Sequence, residues 1–155
     1  MLGVTAGSTA DVAAITAGAD KQILYRASSS SLVFYLPKAC LATNSTTQTV
    51  NTGVTAIFTF DSEQYDNDTM HDNATNNSRV TFTTAGTYRV TGYALYASNA
   101  SGYRYTDIRL NGTTVLLIDT RPAVNTDQSG ASLVFDWTFS ASDYIEMRGF
   151  QNSGS

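Results

Sequence analysis

Arg79-Val80-Thr81-Phe82, Thr83-Thr84-Ala85-Gly86 and Thr87-Tyr88-Arg89-Val90-Thr91-Gly92-Tyr93-Ala94-Leu95-Tyr96 read as a short strand, a tight turn closed by glycine, and a long strand. β-branched and aromatic residues dominate both strands, the types that fit a pleated, half-buried surface. The pattern spreads in both directions. Upstream, 41–50 and 54–61 read as strands, with Val54, Ala56, Phe58 and Phe60 alternating against Thr55 and Thr59, and 61–78 as a long aperiodic connection. Downstream, 103–110 and 113–119 flank Asn111-Gly112, which tolerates the positive φ of a type I′ hairpin turn. Pro122 is expected to end that second strand, leaving 121–130 as a polar loop. Ala131, Leu133, Phe135, Trp137 and Phe139 then alternate with Ser132, Asp136, Thr138 and Ser140, which makes their row core. A last strand covers 144–150, and 151–155 is expected to fray. No helix of three turns can be drawn through 39–155, so the prediction is an all-β sandwich.

Gly86, Tyr88 and Val90 at alternate positions, preceded by Val80, resemble the signature strand of the complement one-q globular head and its tumour necrosis factor relatives. Ile108-Arg109-Leu110-Asn111-Gly112 resembles that family's strand ending in Asn-Gly. Ser129 to Phe135, followed by Ser142-Asp143-Tyr144-Ile145-Glu146, resembles its last two strands. Val80 and Val90 stand where the family usually carries phenylalanine, and Ser142 where it usually carries glycine. The resemblance spans roughly residues 39–151. It implies a ten-stranded antiparallel jelly roll that assembles as a homotrimer.

At 155 residues the chain is long enough for one self-sufficient core. Charged residues make up 14%, against about a quarter in an average soluble domain. Serine, threonine and asparagine instead give a polar, uncharged surface. The net charge of −4, with nine scattered basic residues, lacks the electrostatic footprint of a phosphate-backbone binder, and nucleic acid is excluded as a partner. No stretch approaches the ~20 apolar residues of a membrane-spanning helix. The single cysteine, Cys40, rules out an internal disulfide and reads as a small buried hydrophobe, with an intermolecular bridge as the alternative.

Residues 1–19 are mostly alanine, glycine, threonine and serine, too small to bury much surface, and read as an extended arm. Two apolar runs, Gln22 to Tyr25 and Leu32 to Tyr35, flank four serines as a hairpin. Ala17-Gly18-Ala19-Asp20-Lys21-Gln22-Ile23-Leu24 followed by that serine loop resembles the lead-in segments of phage tail fibres. The organisation expected is an N-terminal arm and hairpin at 1–38, for attachment to other virion proteins, and a trimeric jelly roll at 39–155. The chain's start has neither the basic residues nor the apolar run of a signal peptide. It is therefore expected to be made in a host bacterial cytoplasm and carried on a virion surface, tail or capsid. In that setting the six Asn-x-Ser/Thr sequons, such as those at Asn76 and Asn111, carry no glycosylation meaning.

Asp61, Glu63, Asp66, Asp68 and Asp72 place five of thirteen acids within twelve residues, beside His71. Crowded carboxylates repel, and a hard cation such as calcium relieves that. The competing reading is a solvated acidic loop. Neither a Gly-x-Ser-x-Gly elbow nor a phosphate-cradling glycine loop is present, so no enzyme is expected and no cofactor is required, calcium at the acid cluster being the one candidate. Tyr88, Tyr93, Tyr96, Tyr103 and Tyr105 cluster on two neighbouring segments and point to both strand faces. They are either packed inside the monomer or form a trimer interface. The function expected is a non-enzymatic tail-fibre or receptor-binding head that adheres to host surface glycan through 61–78, 97–102 and 121–130. Capsid decoration is the first alternative, and a non-viral bacterial ligand-binding module the second.

Overall fold

The computed structural model describes residues 23–28, 31–124 and 127–154. Among them there is no helix, and eleven strands form antiparallel sheets. The chain divides into two units, Met1–Lys38 and Ala39–Ser155. In the first, β1 (Ile23–Ser28) and β2 (Ser31–Tyr35) form a hairpin with Ile23 opposite Tyr35. The extended arm expected at 1–19 lies outside the described residues.

The second unit holds β3 (Cys40–Thr43), β4 (Ala56–Ile57), β5 (Ser62–Asp66), β6 (Arg79–Thr81), β7 (Gly86–Tyr96), β8 (Asn99–Leu110), β9 (Thr114–Val124), β10 (Ser129–Phe139) and β11 (Tyr144–Gln151). One sheet runs β4-β11-β8-β9, with β6 also on β11. A second pairs β7 with β10 over eleven residues, and a third pairs β3 with β5. The chain thus leaves the β7 sheet for β8 and β9, returns to it at β10, and leaves again at β11. Between the two larger sheets lies one core: Val90 of β7, Leu133 and Phe139 of β10, Ile108 of β8 and Met147 of β11, closed by Met70 and Phe82. Phe82 stacks on Phe139 with centroids 3.7 Å apart. Ile108 and Met147 reach across so closely that a Cβ on Gly92 would lie 3.1 Å from each.

The Asn111-Gly112 turn forms as its residue types dictate, with φ of 50° and 71° and Thr113 N–H donating to the Leu110 carbonyl. Other boundaries differ from the pattern in the sequence. Residues 44–50 make no ladder, because side chains take its place: the Gln48 amide accepts from Thr59 N–H at 2.9 Å and donates to the Thr59 carbonyl at 2.8 Å. The expected connection at 61–78 contains β5, a polar strand on β3. β9 runs through Pro122, opposite Tyr103, because it is the last strand of its sheet and a missing N–H there is tolerated. Within the expected core row of β10, Trp137 is 42% exposed. Residues 151–154 are pinned rather than frayed: Gln151 Nε2 donates to the Val50 carbonyl, and Gly154 N–H to Thr52 Oγ1.

Candidate functional site

The five clustered acids do not converge. Asp61 accepts from Ser45 N–H and Oγ, bonds that hold its carboxyl below the usual range. Glu63 faces His71 Nδ1 at 2.8 Å, and Asp66 accepts from the N–H groups of Asp68 and His71. Asp68 accepts from Thr83 and Thr84, across the turn before β7. Asp72 Oδ1 caps Ala74 and Thr75, which likewise lowers its pKa. Each carboxylate is an anchor for local backbone or a neighbouring hydroxyl, and among the described residues no group of three or more His, Cys, Asp or Glu side chains is placed to hold a metal ion. His71 is buried with both ring nitrogens facing acceptors, Glu63 and the Asn77 carbonyl. Cys40 packs against the core, and burial together with Asp66 and Glu63 pushes its thiol up to about 12.

The five tyrosines divide by strand parity. Tyr88 and Tyr96 face inward: Tyr88 leans on Phe82 and Phe139, and Tyr96 Oη contacts Thr106 Oγ1 at 2.9 Å. Tyr105 stacks on Phe150, and Tyr103 tilts against the same ring. Tyr93 alone stands on the outer face of the β7-β10 pair, 64% exposed, with Leu95 and Val134 also half or more exposed.

The outer row of the other sheet is unlike this. Asp107, 2% exposed, lies opposite Arg148, and Glu146, also buried, lies opposite Arg109 and Arg79. Arg148 donates Nε at 2.8 Å and Nη2 to the two Asp107 oxygens. Arg79 donates Nε to Glu146 at 3.0 Å. This face is a self-paired ladder of charges. Alternation of Asp107 and Arg109 with Ile108 and Leu110 is the pattern of a strand with one face in the core and the other in water, so the burial of this charged row carries no signal in the sequence.

At the end of that ladder an open cleft of about 420 Å³ lies between the 69–76 loop, β6 and the start of β11. Arg79 and Thr81 of β6 hold the loop at both ends, with Thr81 N–H donating to the Met70 carbonyl and Arg79 N–H to the Asn76 carbonyl. Two of its residues, Thr69 and Asn76, take positive φ of 50° and 52°. For β-branched Thr69 that conformation is uncommon and costs strain, held here by the surrounding bonds. The Arg79 guanidinium sits 4.1 Å over the Tyr144 ring, and Glu146 below it raises its pKa. The lining joins residues 69–81 to the distant Tyr144 with no motif in common, which is why the cleft is invisible in the sequence. Comparison with family models and with curated proteins finds no match.

Proposed function

We propose that this chain is a non-enzymatic structural protein of a phage particle surface, a trimeric jelly roll of the complement one-q and tumour necrosis factor type that serves as a receptor-binding head for host surface glycan. The observation that carries the reading is the contrast between the two sheet faces. Among the described residues the β8-β11 face pairs its charges internally, with only Arg109 Nε left without a hydrogen bond, 3.9 Å from Asp107, whereas the β7-β10 face, beyond its Arg89–Asp136 pair, exposes Tyr93, Leu95 and Val134 together. Apolar and aromatic groups clustered on a surface mark an interface. Among the described residues β7 and β10 pair only with each other; β9 lies along the other side of β10, where Ser132 N–H donates to Asp119, so the open edge is that of β7. Chain passage from β7 to β8 and β9 and back to β10 supports the jelly roll, since such folds alternate between their two sheets.

Three copies joined at this face would present three sets of loops in one direction, raising apparent affinity for a repetitive cell surface. The buried His71, with both nitrogens committed to the fold, supports a binding role over hydrolysis. Attachment falls to residues 1–38 in this reading. The test is competition: purified full chain added to host cells should block adsorption of the particle, and unaltered adsorption at saturating protein would refute the receptor-binding role. Rebinding of the chain to particles stripped of it, without any effect on adsorption, would point to capsid decoration instead.

A further inference from the structure

The cleft between the 69–76 loop and β6 has no role in the assembly argued above, and its chemistry is selective. A sugar hydroxyl donates one hydrogen bond and accepts others, so a site for it needs fixed donors and fixed acceptors side by side. The cleft has both. Arg79 commits Nε to Glu146, while neither of its Nη nitrogens bonds to another described residue. Asp72 commits Oδ1 to Ala74 and Thr75, while Oδ2 accepts from no described residue. The Asn76 side-chain amide, which can donate and accept, lines the same space.

Two of these groups are held in place. Arg79 is clamped between Glu146 and the Tyr144 ring, and Asp72 is oriented by two backbone N–H groups. The Asn76 backbone takes a positive φ, and its side-chain amide bonds to no other described residue. Such preorganisation removes much of the ordering cost of binding. The charge balance then chooses among sugars. Glu146 neutralises Arg79, and Asp72 adds a negative charge at the rim, on a chain whose net charge is −4. A carboxylated sugar meets repulsion there, and a neutral one does not.

We infer that the cleft lined by Asp72, Asn76 and Arg79 is a binding site for an uncharged hexose unit of a bacterial surface glycan. The inference deepens the glycan-adhesion reading and rests on it. Its experiment is an array of neutral and acidic bacterial oligosaccharides probed with the labelled full chain and two variants. Arg79→Lys keeps a cation opposite Glu146 but loses the planar fork, and Asn76→Gly removes the amide at a backbone position that glycine adopts without strain. The expected result is binding to neutral hexose-bearing glycans, weakened about tenfold or more by each variant, as the loss of one or two well-made hydrogen bonds implies, with the circular dichroism of both variants unchanged and the melting temperature unchanged in Asn76→Gly, which leaves the Arg79–Glu146 pair intact. Neutral-glycan binding that both variants leave intact would overturn the cleft assignment while glycan adhesion stands. Binding confined to acidic glycans would overturn the choice of an uncharged sugar. An array with no bound glycan would overturn both the cleft and the adhesion reading.

Discussion

Replacing Asp107 with asparagine is the sharpest perturbation of the charge ladder. The side chain is nearly isosteric, so shape is retained and the change is electrical. Asp107 is 3% exposed at its side chain and bridges Arg148, itself 15% exposed, with Arg109 Nε at 3.9 Å. Without the carboxylate, two guanidinium groups remain that reach water only in part, Arg148 at 15% and Arg109 at 27% side-chain exposure. At an effective dielectric of about 20 and a separation of about 4 Å, each lost attraction is worth ~4 kcal/mol before solvation is counted. Breaking one partner of a buried pair costs roughly 3–5 kcal/mol in practice. We expect about 3 kcal/mol for Asp107→Asn, because Arg148 retains some contact with water. With a urea slope of about 1.5 kcal/mol/M, the unfolding midpoint falls by about 2 M. The assay is urea unfolding at one fixed protein concentration, since assembly also contributes to apparent stability. Adding Arg148→Gln should recover a large part of the loss, as the orphaned charge is then removed. A midpoint shift below about 0.5 M in the single variant would refute the claim that this pair is shielded from solvent.

Acid should destabilise the protein in a defined window. Hydrogen bonds hold Asp61, Asp72 and Asp143, and the Arg89 pair holds Asp136, below the ordinary carboxylate value of 3.8. Folded-state values depressed in this way contribute stability that is complete above the unfolded value and lost as pH falls through the folded one. The melting temperature should be level from pH 7 to about pH 5 and drop below about pH 4; a decline already under way at pH 6 would contradict these assignments. Chelation is expected to leave the melting temperature unchanged, because the acids at 61–72 are committed to internal donors, and a chelator-induced drop would reinstate a bound cation. Cys40 should resist alkylation at pH 8 until the protein unfolds, since a thiol pushed up to about 12 offers almost no thiolate. Rapid modification of the native chain would show the site to be open.

The strands that define the fold were legible where one face meets the core and the other meets water. β7 and β10 alternate cleanly, and the Asn111-Gly112 turn follows from two residue types alone. β5 is hidden because Ser62–Asp66 is polar apart from Tyr65 and pairs only with β3. The apparent strand over 44–50 failed for the opposite reason: its threonines suit a sheet, but Gln48 takes up the Thr59 backbone groups with its side chain. Pro122 does not end β9, because the effect of a proline depends on whether a strand is central or an edge, a property of the sheet and not of the strand. The acid cluster looked like a cation site because spacing in the chain is not spacing in space. Asp66 turns inward to the His71 N–H while Asp72 faces the cleft. The cleft itself joins residues 69–81 to Tyr144, a juxtaposition that only the pairing of β6 with β11 creates.

Assembly through the β7-β10 face is the central claim, and the solution mass of the full chain tests it most directly. Light scattering should give the mass of three copies for the native protein, and of one copy for Tyr93→Asp, with the circular dichroism of the two indistinguishable. A native chain that remains at the mass of one copy across the micromolar range would contradict the account, and the exposed Tyr93, Leu95 and Val134 would then face a different protein.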